Sequence, residues 1–256
     1  MRLLVSVRNA VEASAALAGG ADLIDAKDPS AGALGAVSVE MLHDIAGTVG
    51  RERPVSAAIG DAVEAAAVEH AACAYAAAGA ALVKLGFAGI AGPMRVATLT
   101  AAAVRGAKSG SDGKSGVVAV AYADADAAEN LAPGVLVEVA ARAGARGVLL
   151  DTADKRGPGL RELMAPSALA AWVAEAHEAG LFAAVAGKLT AADLVYVRDA
   201  GADIAGVRGA ACDGGRSGRV TADRVRVLRT QCGRPDVVAY GGAHSGSQVA
   251  RKGARI

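Results

Sequence analysis

Three observations predict the fold class. Eight short apolar runs alternate with segments long enough to form helices. One phrase, a helix end followed by a glycine-containing joint and an apolar strand, recurs four times: LAGGADLIDAKD (17–28), AAGAALVKLGF (77–87), ARAGARGVLLDT (141–152) and RDAGADIAGVRGA (198–210). Finally, the first apolar run continues into VRNAVEA, without the G-x-G-x-x-G loop that opens a dinucleotide-binding sheet. A glycine just past a helix suits the left-handed position from which a short link feeds a strand, and repeated joints of this kind build a wound parallel sheet. Eight such units in about 230 residues predict an α/β protein, a single (β/α)8 TIM barrel, over its rival, a doubly wound open sheet.

The strands are expected at 2–6 (RLLVS), 22–27, 54–60 (PVSAAIG), 81–86 (ALVKLG), 116–122 (GVVAVAY), 146–151 (RGVLLD), 181–187 (LFAAVAG) and 203–208 (DIAGVR). Each is a short, continuous apolar run, as both-face burial requires. Helices are expected near 9–19, 38–49, 62–78, 92–107, 130–143, 166–179, 190–200 and 220–232. The barrel therefore spans 1–232. Residues 233–256, rich in Gly, Ser and Arg, read as a flexible C-terminal tail.

Composition narrows the function classes. The chain is 53% hydrophobic with a mean hydropathy of +0.35, enough for a full-sized core. Much of that content is alanine and only 3% of residues are aromatic, so close packing of small side chains is expected. The formal net charge of +1 argues against nucleic acid and anionic membranes as partners, since both need a concentrated basic face. Attraction for an anionic small molecule must then be local. The cysteines Cys73, Cys212 and Cys232 are far apart, and the four histidines form no HxxxH pair, so no metal or other cofactor is expected. Arg8, Asn9 and Glu12 interrupt any secretory leader. The longest uncharged apolar stretch, Ala71 to Val83, falls short of the ~20 residues that span a bilayer, so a soluble cytoplasmic protein is expected. The alanine-rich helix at 62–78 suits a homo-oligomer contact and packing on the barrel equally well.

In a barrel of this type the active site lies at the C-terminal strand ends. Those ends carry Asp25, Lys27 and Asp28 (strand two), Lys84 (strand four), Asp151 with Lys155 four residues on (strand six), and Arg208 (strand eight). Side chains alternate across a strand, so Ile24 and Ala26 facing the helices send Asp25 and Lys27 into the barrel mouth. The same parity sends Lys84 and Asp151 inward. Each residue alone reads most simply as a solvated rim charge. Together they form a crowded set whose surplus of cations points to a bound phosphate, an activated amine, or both. A lysine amine is protonated and inert at its ordinary pKa of ~10.4. Burial and nearby positive charge free it to attack a carbonyl as a Schiff-base nucleophile, while Asp25 and Asp151 can move protons. Asp28 reads as a rim or loop-cap residue. Phosphate is expected at the loops after strands seven and eight, where Gly187, Gly209, Gly214 and Gly215 let backbone N–H groups approach an anion, with Lys188 or Arg208 adding charge.

The motifs DLIDAKDP with GALGA, then VSAAIGD, LVKLG, AYAD, LLDTADK and VRGAACDGGRSGR, resemble the (5-formylfuran-3-yl)methyl phosphate synthase family from Met1 to about Cys232. The resemblance implies a class I aldolase-like barrel lyase. It would join two glyceraldehyde 3-phosphate molecules, with loss of phosphate and water, into a phosphorylated formylfuran for methanofuran-type cofactor biosynthesis. It further implies Lys27 as the Schiff-base lysine, with Asp25, Lys84, Asp151 and Lys155 as the supporting set. Two other readings stay open: a class I aldolase or sugar-phosphate isomerase that forms no ring, and a non-catalytic phosphometabolite-binding protein.

Overall fold

The computed structural model describes residues 1–124 and 129–233. Eight parallel strands, β1 (Arg2–Val7), β2 (Leu23–Ala26), β3 (Val55–Asp61), β4 (Leu82–Gly86), β5 (Gly116–Tyr122), β6 (Gly147–Asp151), β7 (Phe182–Val185) and β8 (Ile204–Val207), form a closed barrel in sequence order. Closure is made by β8 on β1, with Arg2 opposite Ile204 and Val5 opposite Val207. The expected barrel is therefore the observed one, and each strand lies within two residues of its predicted bounds. Residues 234–256, the bulk of the expected tail, lie outside the described residues.

Helices α1 (Ala10–Ala18), α2 (Val39–Val49), α3 (Ala65–Ala77), α4 (Pro93–Gly110), α5 (Pro133–Arg142), α6 (Leu160–Leu163), α7 (Pro166–Glu178), α8 (Asp193–Asp199) and α9 (Ala222–Gln231) surround the strands. Their starts follow local chemistry. Asn9 and Ser38 cap α1 and α2 through side-chain oxygens that accept from Glu12 N and Met41 N. Proline opens α4, α5 and α7, where its missing N–H costs nothing. Three expected starts, those of α3, α5 and α8, shift by three residues, and two of them for visible reasons. The chain after β3 keeps pairing, Ala62 N donating to Gly86 O, which delays α3 to Ala65. Before α8, the Asp193 carboxylate accepts from Thr190 N and Oγ1 and holds that turn out of the helix. Short elements absent from the sequence reading, α6 and a hairpin of β9 (Cys212–Asp213) with β10 (Arg219–Val220), belong to the loops over the barrel mouth.

Two apolar layers hold these elements. Outward strand residues such as Leu3, Ile24, Val83 and Leu150 pack under the helices, and inward ones such as Leu4, Leu23, Leu82, Val118, Leu149 and Ile204 fill the barrel. Small residues make the helix layer tight. A Cβ on Gly106 or Gly110 of α4 would stand 2.1 Å from the Glu69 or Cys73 carbonyl oxygen of α3, so these two helices meet backbone to backbone. The alanine-rich face of α3 is spent on this contact, at least in part. The inward apolar layer forms the floor on which the polar strand ends stand.

Candidate active site

Asp25 is the centre of the construction. Strand register sets Ser6 of β1 and Ser56 of β3 directly beside it. Both hydroxyls donate to its carboxylate, at 2.8 Å and 2.7 Å. Lys84 projects from β4 and its Nζ lies 2.6 Å from Asp25 Oδ1. Asp25 has no measurable exposure, and Lys84 is also buried. A buried carboxylate with three donors is satisfied as an anion, and its partner lysine as a cation.

A second pair faces the first. Asp151, at the end of β6, accepts from Thr152 N at 2.8 Å and from Lys155 Nζ at 2.6 Å. Lys155 also donates to the Thr152 carbonyl. Burial pushes the Asp151 carboxyl up, but the charges of Lys155 and Lys27 outweigh it and hold the group below the ordinary carboxylate range.

Lys27 stands between these pairs. It is only 6% exposed, and it makes no ion pair among the described residues. Burial is the main cause that lowers its pKa from 10.5 to about 8; the attraction of Asp151 and Asp25 opposes this, and repulsion from Lys84 and Lys155 adds to it. At pH 7 a lysine titrating near 8 is roughly 10% free amine, against roughly 0.03% at its ordinary value. Each flanking lysine has its own carboxylate, and Lys27 is the amine of the three without one among the described residues. Asp28, by contrast, turns to the loop and accepts from Ser30 N and Oγ, which caps the turn at Pro29–Ala31.

All five ionisable groups line a cavity of about 510 Å³ at the C-terminal mouth of the barrel, floored by Leu4, Leu82, Val118, Leu149 and Ile204. An apolar floor with a few convergent charges is the usual lining of a small-molecule site. Among the described residues, no cluster of three or more His, Cys, Asp or Glu side chains could hold a metal ion. No helix among them is long and apolar enough to cross a membrane.

The residues expected to bind phosphate separate into three groups. Gly187, Lys188 and Gly209 line the cavity. Gly187 has a φ of 107°, and a Cβ there would meet Leu160 Cβ at 2.9 Å, so this turn needs glycine. Gly214 and Gly215 do not line it; with φ of 84° and 71° they turn the exposed strand-eight loop between β9 and β10. Arg208 makes up the third group. It borders the cavity, but all five of its N–H donors are engaged: by both oxygens of the buried Glu12, and by the carbonyls of Ser6, Arg216 and Gly218. Burial raises Glu12, yet the hydrogen bond and charge of Arg208, with help from Arg8, hold it below its ordinary pKa. Arg208 is thus the pin that fastens the strand-eight loop to β1 and α1, and its charge is already matched.

Sequence reasoning missed three participants. Ser6 and Ser56 are the inward polar positions of otherwise apolar strands, a signal legible by the same parity that found Lys84. Arg216 lines the cavity from the strand-eight loop, in the motif VRGAACDGGRSGR where only the glycines and Arg208 drew notice.

Comparisons with known proteins show the family and the fold. A family model described as 4-HFC-P synthase matches residues 3–229. The (5-formylfuran-3-yl)methyl phosphate synthase of Methanocaldococcus jannaschii is 37% identical over 235 residues, covering 91% of this chain and all of that one. That of Methanopyrus kandleri is 40% identical over 220 residues, covering 85% and 92%. Among solved structures, 3-hexulose-6-phosphate synthase superposes with a TM-score of 0.62 at 23% identity, covering 90% of this chain and 99% of the other. Orotidine 5'-phosphate decarboxylase from Pyrococcus horikoshii gives 0.63 at 16%, covering 90% and 98%. These two likenesses show the barrel fold alone. The family match along nearly the whole barrel, joined to relatives of this identity, places the chain among enzymes: it belongs to the 4-HFC-P synthase family.

Proposed function

We propose that the protein condenses two molecules of glyceraldehyde 3-phosphate into (5-formylfuran-3-yl)methyl phosphate through a Schiff base on Lys27. The observation that carries this reading is the Lys27 amine, buried, free of any carboxylate partner among the described residues and brought down to about 8. A paired or solvent-exposed lysine would not serve, because its ammonium form has no lone pair to offer.

The steps balance as follows. The neutral Lys27 amine adds to the aldehyde carbon of one triose phosphate, and water leaves to form an iminium. The iminium acidifies the neighbouring C2–H, and a cavity carboxylate, Asp25 or Asp151, takes that proton. The electron pair left behind expels phosphate from C3. The unsaturated C3 then bonds to C2 of the second triose, whose own C2 proton is removed. The C2 hydroxyl of the first triose closes on the remaining aldehyde, and loss of two waters makes the ring aromatic. Hydrolysis consumes the water released at the start and frees Lys27. Two trioses thereby give one furan phosphate, one phosphate and two waters. Lys84 and Lys155, each hydrogen-bonded to a carboxylate, support this work by keeping Asp25 and Asp151 ionised and Lys27 unprotonated. Gly187, Lys188 and Gly209 are assigned to phosphate.

Borohydride reduction in the presence of glyceraldehyde 3-phosphate tests the reading. A covalent mass should appear on the peptide bearing Lys27, and a near-ultraviolet formylfuran product should accumulate without reductant. An unmodified enzyme, together with full turnover by Lys27→Ala, would dismiss it.

A further inference from the structure

The cavity holds more positive charge than its carboxylates match. Seven basic side chains line it. Four have a carboxylate partner: Lys84 with Asp25, Lys155 with Asp151, Arg208 with Glu12, and Arg224 with Asp213. Three have none among the described residues, namely Lys27, Lys188 and Arg216. Lys27 is accounted for as the nucleophile, which leaves two cations on two different loops.

Their anchoring separates them. Lys188 sits in the loop after β7 with a left-handed backbone, and its Nζ donates to the Gly157 carbonyl in the loop after β6. Arg216 sits in the loop after β8, and its Nη2 donates to the Gly32 carbonyl at 2.8 Å, in the loop after β2. One cation is therefore tied toward the β6 side of the rim and the other toward the β2 side. Arg216 is also a built position. The pinned guanidinium of Arg208 donates to its carbonyl, and Arg208 and Arg8 both hold the Gly218 carbonyl two residues on. Its Nε and Nη1 donors have no protein acceptor among the described residues, and it is attracted by Asp151 and repelled by Arg208. A half-buried guanidinium that keeps its charge and has unengaged N–H donors facing a cavity is suited to take a phosphate.

From this we infer that the cavity contains two separate phosphate seats, one at Lys188 with Gly187 and a second at Arg216, with Glu12–Arg208 as the positioning pair that holds the second. The inference rests on the proposed condensation in one respect: that reaction takes in two phosphorylated trioses, expels the phosphate of one and keeps that of the other, so each brings a phosphate to be seated. Arg208, which the sequence suggested for this task, instead supports the residue that performs it.

Binding of glycerol 3-phosphate tests this independently of the chemistry, because that molecule has no carbonyl and forms no imine. Calorimetric titration of the intact protein should give two equivalents bound. Arg216→Gln should leave one, Lys188→Gln should leave one, and the double variant should bind none. Arg216→Lys, which keeps the charge and loses the guanidinium's separate donors, should restore the second equivalent with weaker affinity. Should Arg216→Gln fail to fold, the single equivalent in Lys188→Gln still decides: it should weaken at least tenfold in the Lys188→Gln/Arg216→Lys protein. One equivalent in the wild type, or two undiminished in Arg216→Gln, would overturn the second seat. A borohydride adduct on Lys27 would then still stand, so failure of the seat and failure of the Schiff base are told apart.

Discussion

Replacing Lys27 with methionine should make the protein more stable as it abolishes turnover. An ammonium buried without an ion-pair partner is held in the fold at a cost, and the displacement of its pKa measures that cost. The ordinary value is 10.5 and the folded one about 8, so at roughly 1.4 kcal/mol per decade the protonated group disfavours folding by about 3 kcal/mol near pH 7. The sign follows from which state binds the proton more tightly. The unfolded chain does, so the penalty is fully present below pH 8, declines as pH rises, and is gone above 10.5. Lys27→Met removes the charge while keeping most of the volume. Urea unfolding followed by circular dichroism should therefore show the variant about 3 kcal/mol more stable at pH 7, narrowing to about 1.4 kcal/mol at pH 9.5. Lys84→Met supplies the contrast. Its Nζ lies 2.6 Å from a fully buried Asp25, so its removal strands a carboxylate and should cost about 3–5 kcal/mol. Equal or lower stability of Lys27→Met at pH 7, or a difference that does not change with pH, would refute the account of Lys27 as an uncompensated buried amine.

Three further outcomes are expected. The ascending limb of kcat/KM should lie near pH 8 in the wild type, where Lys27 loses its proton; in Lys84→Met it should move upward, because a repelling charge is gone and Asp25 is released to attract Lys27, and a limb that stays put would show that Lys84 does not tune the amine. Glu12→Ala leaves the Arg208 guanidinium buried without its carboxylate and should cost about 3–5 kcal/mol in urea unfolding, whereas a loss below about 1 kcal/mol would mean the pair holds nothing. Gly106→Ala would ordinarily gain about 1 kcal/mol within a helix, but a Cβ 2.1 Å from the Glu69 carbonyl oxygen forces α3 and α4 apart. The variant should therefore melt lower than wild type, and an unchanged or higher Tm would contradict the close α3–α4 contact.

Much of the fold was legible because its signals are local. Continuous apolar runs, glycine at helix ends and the spacing of eight repeats are properties of neighbouring residues, and they located every strand to within two positions. Parity is local as well. It placed Asp25, Lys84 and Asp151 inside the barrel because a strand alternates its side chains, whatever it pairs with. The short elements of the loops escaped because no period marks them.

Lys27 shows where local reading ends. The chain by itself determined that charged groups stand at the mouth of an α/β barrel and that an amine among them could react. It could not tell which lysine takes which carboxylate, since that depends on strand register and on distances between residues far apart in sequence. Closure of the barrel sets Ser6, Asp25, Ser56 and Lys84 together, pairs Lys155 with Asp151, and leaves Lys27 the amine without a carboxylate partner among the described residues. The same holds for the two arginines of the strand-eight loop: alike as letters in one motif, they divide into a pinned support and an open donor only when β1, α1 and the loop after β2 come to meet them. Electrostatic environment is a property of the folded neighbourhood, so it was decided there.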